Sequence, residues 1–323
     1  MGAEQFQKNM EKGLIEATGT PYYGISSGKL RRYFDLKNFS DPFKVLKGYF
    51  QSVHLMRKLK PDVVFSKGGF VSVPVVLAAK RCHIPAIIHE SDITPGLANR
   101  IAVRGAKKVC CNFPETMKYL PSGKAVLTGS PIRQELFQGK AEGARALCNF
   151  ADDKPVLLII GGSLGSKIVN EAVRGVLPEL LQKFNIIHLC GKGNLDSSLS
   201  GLVGYTQFEY ASAELADMFA LCDMAISRAG ANSICELLAL HKPNILIRLS
   251  AAASRGDQIL NANSFKKQGF SYVLEEESLT AETLLAAVNE VFDNRASYIN
   301  AMEESGQMDS IGTILDLINK ESK

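Results

Sequence analysis

The sequence predicts an α/β protein built from two Rossmann-like, doubly wound parallel-sheet domains. Three observations carry this. Short apolar runs alternate with amphipathic stretches along most of the chain, a pattern that implies parallel strands joined by right-handed helical crossovers. Glycine-rich turns follow two of the runs, as happens where a buried strand passes into a helix over an anion. The 323 residues, 46% hydrophobic and 22% charged, suffice for two cores and are too apolar for a disordered chain.

In chain order, a charged helical pattern over Glu4 to Ala17 comes first, then one short strand candidate around Pro21 to Ile25. Phe39 to Lys60 has the periodicity of a basic amphipathic helix, with Phe43, Leu46, Tyr49, Phe50, Val53 and Met56 among Lys44, Lys47, Arg57, Lys58 and Lys60. Such a helix either packs on a core or lies on an anionic leaflet. Strands are expected at Pro61 to Phe65, Pro85 to His89, Lys108 to Phe113 and Ala125 to Thr128, with helices at Val73 to Cys82 and Pro95 to Arg104. A polar stretch from Pro131 to Asp153 separates the halves, which places the domains at 1–135 and 136–323. Pro155 to Ile160 is a continuous apolar run, as expected of a strand buried on both faces. Five more strands follow, at Asn185 to Leu189, Tyr205 to Phe208, Asp223 to Ser227, Pro243 to Leu249 and Ser271 to Leu274. The second half therefore reads as a complete six-stranded sheet. The first half reads as incomplete, because no buried strand and glycine turn open it.

Composition narrows the function. A net charge of +4 permits attraction to phosphate or anionic lipid but does not indicate nucleic-acid binding. Seven cysteines without a CxxC pair read as reduced core thiols rather than a metal site. No apolar run approaches the roughly 20 residues that cross a bilayer.

Gly161-Gly-Ser-Leu-Gly-Ser166 follows the strongest strand and opens a helix. It can cradle a phosphate or be a plain tight turn. It is not a Walker A loop, since Ser166-Lys167-Ile168 has the wrong order. It is not a dinucleotide fingerprint either, since GxGxxG is absent and no acid ends the next strand at Leu189-Cys190-Gly191; a nicotinamide oxidoreductase is thereby disfavoured. Lys67-Gly-Gly-Phe70 is a second such turn. Ser227-Arg-Ala-Gly230 stands at a strand's C-terminal end, where open sheets bind ligands. Arg228 there suits a phosphate or a carboxylate, and Glu236, two turns into the helix, suits a ribose diol. Both also suit ordinary ion pairs. Asp257-Gln258, at a helix start, offers sugar-binding groups or an N-cap.

Taken together, these pieces resemble the peptidoglycan N-acetylglucosaminyltransferases, the MurG family. The resemblance rests on Tyr23-Gly-Ile-Ser-Ser-Gly-Lys-Leu-Arg-Arg32, Ser66-Lys-Gly-Gly-Phe-Val-Ser-Val-Pro74 and His89-Glu90 with Pro95-Gly-Leu-Ala-Asn99. It continues through Gly129-Ser-Pro-Ile-Arg133, Gly161-Gly-Ser-Leu-Gly165, Ser227-Arg-Ala-Gly230 with Glu236, and Arg255-Gly-Asp-Gln258. It implies the GT-B fold, two Rossmann-like domains facing a cleft. It also implies inverting transfer of N-acetylglucosamine from UDP-N-acetylglucosamine to the 4-hydroxyl of undecaprenyl-linked muramyl-pentapeptide, with no cofactor and no essential metal. By resemblance Gly162, Ser163, Gly165 and Arg133 face the donor diphosphate, Arg228 and Gly230 line the same site, and Glu236 faces the ribose. Phe208 or Tyr210 stacks near uracil, and Asp257 and Gln258 face the sugar. Gly68, Gly69, Asn99 and Glu90 line the acceptor side. The implied location is the cytoplasmic face of the bacterial membrane, as a peripheral protein on an anionic surface.

The sequence departs from the family in two places. The family's first glycine-rich loop, with the histidine that is the leading candidate for catalytic base, is expected before Glu11-Lys-Gly-Leu-Ile15 and is absent, so the base is unassigned. Leu164 replaces a glutamine common at its position. Two alternatives therefore stay open: a UDP-sugar-binding fragment or subunit without catalysis, and a UDP-N-acetylglucosamine epimerase on the same fold.

Overall fold

The structure is a computed structural model that describes residues 12–13, 15–28, 37–162, 165–249, 256–306 and 309–322. The expected helix over Glu4 to Ala17 lies largely outside these residues; 12–13 and 15–17 are helical.

Strands β1 (Val64–Ser66), β2 (Ala86–Glu90), β3 (Lys108–Cys111) and β4 (Ala125–Leu127) form one sheet in that order. β1 and β2 pair in parallel, Phe65 opposite Ile87. Helices α1 (Lys37–Leu59), α2 (Ser72–Arg81) and α3 (Leu97–Ala102) accompany them. The strand expected at Pro21 to Ile25 does not form, since residues 20–28 have no regular structure. This stretch lies on α1 instead. The Ser26 amide donates to Gln51 Oε1 at 2.8 Å, and a Cβ on Gly48 would collide with the Ser26 carbonyl. The Gln51 side chain thus satisfies one backbone amide that a strand partner would have satisfied, and Gly48 leaves room for the chain to approach.

After α4 (Ala141–Cys148), the strands β5 (Val156–Ile160), β6 (Asn185–Leu189), β7 (Tyr205–Phe208), β8 (Met224–Arg228), β9 (Asn244–Arg248) and β10 (Tyr272–Glu275) form a six-stranded sheet. Its order is β10-β9-β8-β5-β6-β7, and every adjacent pair is parallel. The chain runs outward from β5 to β7, then returns to β8 on β5's other side. β5 and β8 therefore flank the switch point, where open sheets leave a crevice at their C-terminal ends. The connecting helices are α5 (Lys167–Arg174), α6 (Leu177–Lys183), α7 (Leu215–Leu221), α8 (Ala231–Ala239), α9 (Asp257–Lys267) and α10 (Ala281–Asp293), followed by α11 (Arg295–Glu304) and α12 (Ser310–Glu321). Alternation along β5 sends Val156 and Leu158 to one layer, with Phe219 and Phe265, and Leu157 and Ile159 to the other, with Phe184 and Val291. Both faces are dry, which explains the unbroken apolar run in the sequence.

The chain divides into two compact units. One contains the described residues up to His89, Gly96–Val109 and 318–322; the other contains Glu90–Pro95 and Cys110–Leu317. Packing thus draws the division elsewhere than the expected chain-order boundary at 135. Ile93, Phe113 and Ile132 are buried in the same cluster as Leu158 and Phe265, and burial of such side chains, at roughly 1.5–3 kcal/mol each, holds these upstream segments there.

Phe184 is buried and packs edge-on against Phe292, ring centroids 4.9 Å apart. Phe184→Ala is expected to lower unfolding stability by about 3–5 kcal/mol in urea melts. Val203→Ala, at an exposed position, should change it by less than about 0.5 kcal/mol.

Candidate functional site

The donor-side residues named from sequence that are described, Arg133, Gly162, Gly165, Phe208, Tyr210, Arg228, Gly230, Glu236, Asp257 and Gln258, all belong to the unit that contains the six-stranded sheet. Ser163, Leu164 and Arg255 lie outside the described residues.

The glycine turn leaves β5 at Gly161 and re-enters helix at Ser166, whose side chain caps α5 by accepting from the Val169 amide. Gly162 and Gly165 have φ of +87° and +74°. Only glycine adopts such values without strain. A Cβ on Gly165 would also drive into the Cys190 carbonyl at the end of β6. That carbonyl is held by the Asn170 Nδ2 group of α5 at 2.9 Å, and Asn170 Oδ1 meets His188 Nε2 at 3.0 Å. His188 Nδ1 meets the Tyr205 hydroxyl at 2.9 Å. Burial, with Arg174 nearby, pushes the His188 imidazole down to about 3, so it is a neutral structural link rather than an acid or base. Arg174 ties the same layer together, donating to Gln207 Oε1 and the Asn194 carbonyl, both at 2.7 Å. The sequence reading missed this network. Its one legible signal was a histidine and a tyrosine inside otherwise apolar strands.

At the end of β8, Gly230 is the N-cap of α8 in extended conformation, so the helix start opens at the sheet's C-terminal edge. Arg228 is buried and its guanidinium pairs with Glu276 at 2.6 Å. Its Nη1 has no partner among the described residues. The carboxylate reading of Arg228 is thus realised by a residue not named from sequence, and one donor remains over. Glu236, in the second turn of α8, faces Arg133 at 3.5 Å. Burial raises the Glu236 carboxyl above its ordinary value, and Arg133 opposes this.

Asp257 is the first residue of α9, and the cap position is Gly256 at φ +88°. Asp257 therefore is not the N-cap, and its Oδ1 accepts from Thr94 Oγ1 at 2.9 Å. Gln258 Oε1 is buried without a hydrogen-bond partner among the described residues. Phe208 is half-buried against the core, whereas Tyr210 is 68% exposed and has the freer ring.

On the acceptor-side list, Gly68 and Gly69 have φ of +92° and +83°. Gly68 lies against the Asn99 carboxamide, which a Cβ would approach to 3.2 Å. Asn99 donates to the His89 carbonyl at 3.1 Å, and Lys67 Nζ stands 3.2 Å from His89 Nδ1. His89 is fully buried within β2. These residues share one unit, while Glu90 falls in the other. Glu90 is buried, and its Oε1 accepts from the Asp92 amide at 3.1 Å. Among the described residues no three His, Cys, Asp or Glu side chains cluster to hold a metal.

Two parallel sheets, with helix starts and glycine turns at strand ends of the second, are the architecture of the GT-B fold. Residues 6–111 match the N-terminal domain of glycosyltransferase family 28, and residues 156–314 match its C-terminal domain. The UDP-N-acetylglucosamine–N-acetylmuramyl-(pentapeptide) pyrophosphoryl-undecaprenol N-acetylglucosamine transferase of Lachnospira eligens is 65% identical over 314 residues, 97% of this chain and 89% of its own length. The crystal structure of MurG from Acinetobacter baumannii superimposes with a TM-score of 0.72 at 27% identity, covering 98% of this chain and 94% of that one. The UDP-GlcNAc 2-epimerase of Methanocaldococcus jannaschii reaches a TM-score of 0.60 at 15% identity over 88% and 83% of the two chains; that likeness is one of fold. The chain belongs to glycosyltransferase family 28, within it to the peptidoglycan N-acetylglucosaminyltransferases.

Two outcomes follow from the geometry. Gly165→Ala, with φ strain of roughly 1–2 kcal/mol added to its clash with Cys190, should weaken UDP binding about tenfold or more in titration calorimetry. Gly230→Ala, at negative φ with no atom within 4 Å of the new Cβ, should fold normally. For Glu236, the folded state holds its proton more tightly than the unfolded chain. Its contribution is therefore fully present below the ordinary carboxylate pKa and is lost as pH rises through the raised value. Glu236→Gln has no such loss, so its melting temperature relative to the parent should increase between pH 4 and pH 8.

Proposed function

We propose that the chain is an inverting transferase that moves N-acetylglucosamine from UDP-N-acetylglucosamine to the 4-hydroxyl of lipid-linked N-acetylmuramyl-pentapeptide in peptidoglycan synthesis. The observation that carries this is the 65% identity to the Lachnospira eligens transferase over 97% of the chain. The epimerase alternative is not favoured, because its support is a likeness of fold alone.

In this reading the acceptor domain runs to about residue 135 and the donor domain occupies 136–323. The amides of the Gly162–Gly165 turn, with Ser163, hold the diphosphate together with Arg133. Glu236 takes the ribose diol, Tyr210 or Phe208 stacks near the uracil, and Asp257 and Gln258 face the sugar. Arg228, latched to Glu276, shapes the strand end beside Gly230. As the bond to the anomeric carbon breaks, negative charge grows on the leaving UDP. Amide dipoles, the start of α8 and Arg133 can stabilise it without rearranging. Gly68, Gly69 and Asn99 line the acceptor side, where Glu90 contributes. A base must still take the proton of the acceptor hydroxyl.

The acceptor is lipid-linked, and α1 offers a surface to match. Phe43, Leu46 and Phe50 are 75, 53 and 62% exposed at spacings of three and four residues, which place them along one stripe. Lys44, Lys47, Arg57 and Lys58 are exposed on the same helix. No helix among the described residues is long and apolar enough to cross a membrane. Peripheral docking on the anionic cytoplasmic leaflet follows from this reading.

Two measurements test it. Labelled donor and a short-chain lipid-linked muramyl-pentapeptide should yield labelled disaccharide and no epimerised UDP-sugar. UDP binding without product would reduce the chain to the donor-binding alternative. Separately, Lys44→Glu, Lys47→Glu and Lys58→Glu together should abolish co-sedimentation with anionic vesicles, and undiminished co-sedimentation would remove α1 from the membrane contact.

A further inference from the structure

Helix α9 is fastened along one face by three side-chain hydrogen bonds. Ser264 Oγ donates to Glu115 Oε1 at 2.8 Å, Asn261 Nδ2 donates to Asp92 Oδ1 at 3.0 Å, and Asp257 Oδ1 accepts from Thr94 Oγ1 at 2.9 Å. Positions 257, 261 and 264 follow a spacing of four and three residues, so the three contacts form a ladder along the helix axis. The ladder's other side is itself anchored. Ile93 is buried in the core cluster that contains Phe265 of α9. The Asp92 carbonyl accepts from Thr116 Oγ1 at 3.2 Å, and the Ser91 carbonyl from Asn112 Nδ2 at 3.0 Å.

The direction of the rungs changes at the functional end. In the two inner rungs the helix side chain donates to a carboxylate on the facing segment. At the outer rung the carboxylate is on the helix and the facing threonine donates. One oxygen of Asp257 is thereby fixed, which sets the plane of the carboxylate. The second oxygen takes no hydrogen bond from any described residue. The next residue, Gln258, has a buried Oε1 without a partner among the described residues. Two oriented acceptors at one helix start suit vicinal hydroxyl donors of a hexose.

We propose that Thr94 is a positioning residue for the donor sugar: its hydroxyl holds Asp257 in the rotamer that receives a sugar hydroxyl, so Thr94 governs affinity for the sugar of the nucleotide-sugar and not for the nucleotide. This rests on the reading of Asp257 as a donor-sugar contact. Thr94 makes no contact with substrate in this account and acts through Asp257 alone.

The test compares dissociation constants for UDP-N-acetylglucosamine and for UDP by titration calorimetry on the full chain, so no acceptor is needed. Thr94→Val is nearly isosteric and lacks the donor. It should weaken UDP-N-acetylglucosamine about fivefold or more, a modest fraction of what a hydrogen bond to a charged group can contribute, and leave UDP and the melting temperature unchanged. Thr94→Ser should restore the parent value. Equal weakening of both ligands by Thr94→Val, no weakening of either, or failure of Thr94→Ser to rescue would each overturn the proposal. Asp257→Ala separates the two levels. If it leaves UDP-N-acetylglucosamine binding intact, the donor-sugar reading falls and the role of Thr94 with it. If it weakens that ligand while Thr94→Val does not, only the role of Thr94 is overturned.

Discussion

The closest approach on which the donor side depends is backbone on backbone, Gly165 against the carbonyl of Cys190. The turn after β5 must pass the end of its neighbour β6 at a separation that leaves no room for a β-carbon. Everything around this contact serves to keep it. Asn170 reaches back from α5 to the same carbonyl and is held by His188, which is held by Tyr205 one strand further out. A hydrogen-bonded chain thus runs across two adjacent strands beside the glycine turn, whose Gly165 amide itself donates to the Gly162 carbonyl at 2.9 Å. Buried polar groups are costly when unpaired and rigid when fully paired; here Asn170, His188 and Tyr205 are paired, and they hold the Cys190 carbonyl against which Gly165 packs. A turn organised before a ligand arrives loses little entropy on binding.

The helix starts at this edge of the sheet are treated differently from one another. α5 carries its own cap in Ser166, so its first amides are partly occupied. α8 starts at Gly230 with no side-chain cap. Its orphan amides are available to a ligand, with Glu236 one turn beyond them and tempered by Arg133. α9 starts at a glycine in left-handed conformation and is oriented from outside, by the ladder to residues 92, 94 and 115. The contrast assigns tasks by physical means: one rigid turn, one open dipole, and one helix whose side chains are aimed by a neighbouring segment. Arg228 shows the same economy. Its pairing with Glu276 offsets the cost of burying a guanidinium, and its Nη1 has no partner among the described residues.

The unit that contains α1 is of a different character. Its helix pair packs with small residues at the seam, Gly48 accepting the chain at Ser26 and Ala78 and Ala79 fully buried. The outer stripe of α1, Phe43, Leu46 and Phe50, is exposed among the described residues. An exposed aromatic stripe flanked by lysines is stable in water only because the helix is anchored elsewhere.

The ten strands of the described residues were legible from short apolar runs, most plainly β5, β6 and β8, because a parallel strand buried on both faces has few sequence alternatives. The two glycine turns were legible because left-handed φ and close backbone approach demand glycine. The candidates Glu236 and Asp257 could be named from their places after a strand or at a helix start, whereas Arg133 was named only through the family resemblance. The strand expected near Pro21 was not there, because a local apolar pattern cannot reveal that Gln51, 25 positions from Ser26, and Gly48 would meet that backbone. The partners were equally invisible. Thr94 lies 163 positions from Asp257, and nothing in either neighbourhood announces the other. The assignment of Glu90–Pro95 to the unit of the six-stranded sheet was invisible for the same reason, since it is decided by which core Ile93 enters. Sequence by itself determined the elements, their order and the chemistry at their ends, since these depend on residues a few positions apart. Tertiary structure alone decided which oxygen is held, which carboxylate is buried and which donor is left over, since those depend on groups that only folding brings within three ångströms or so.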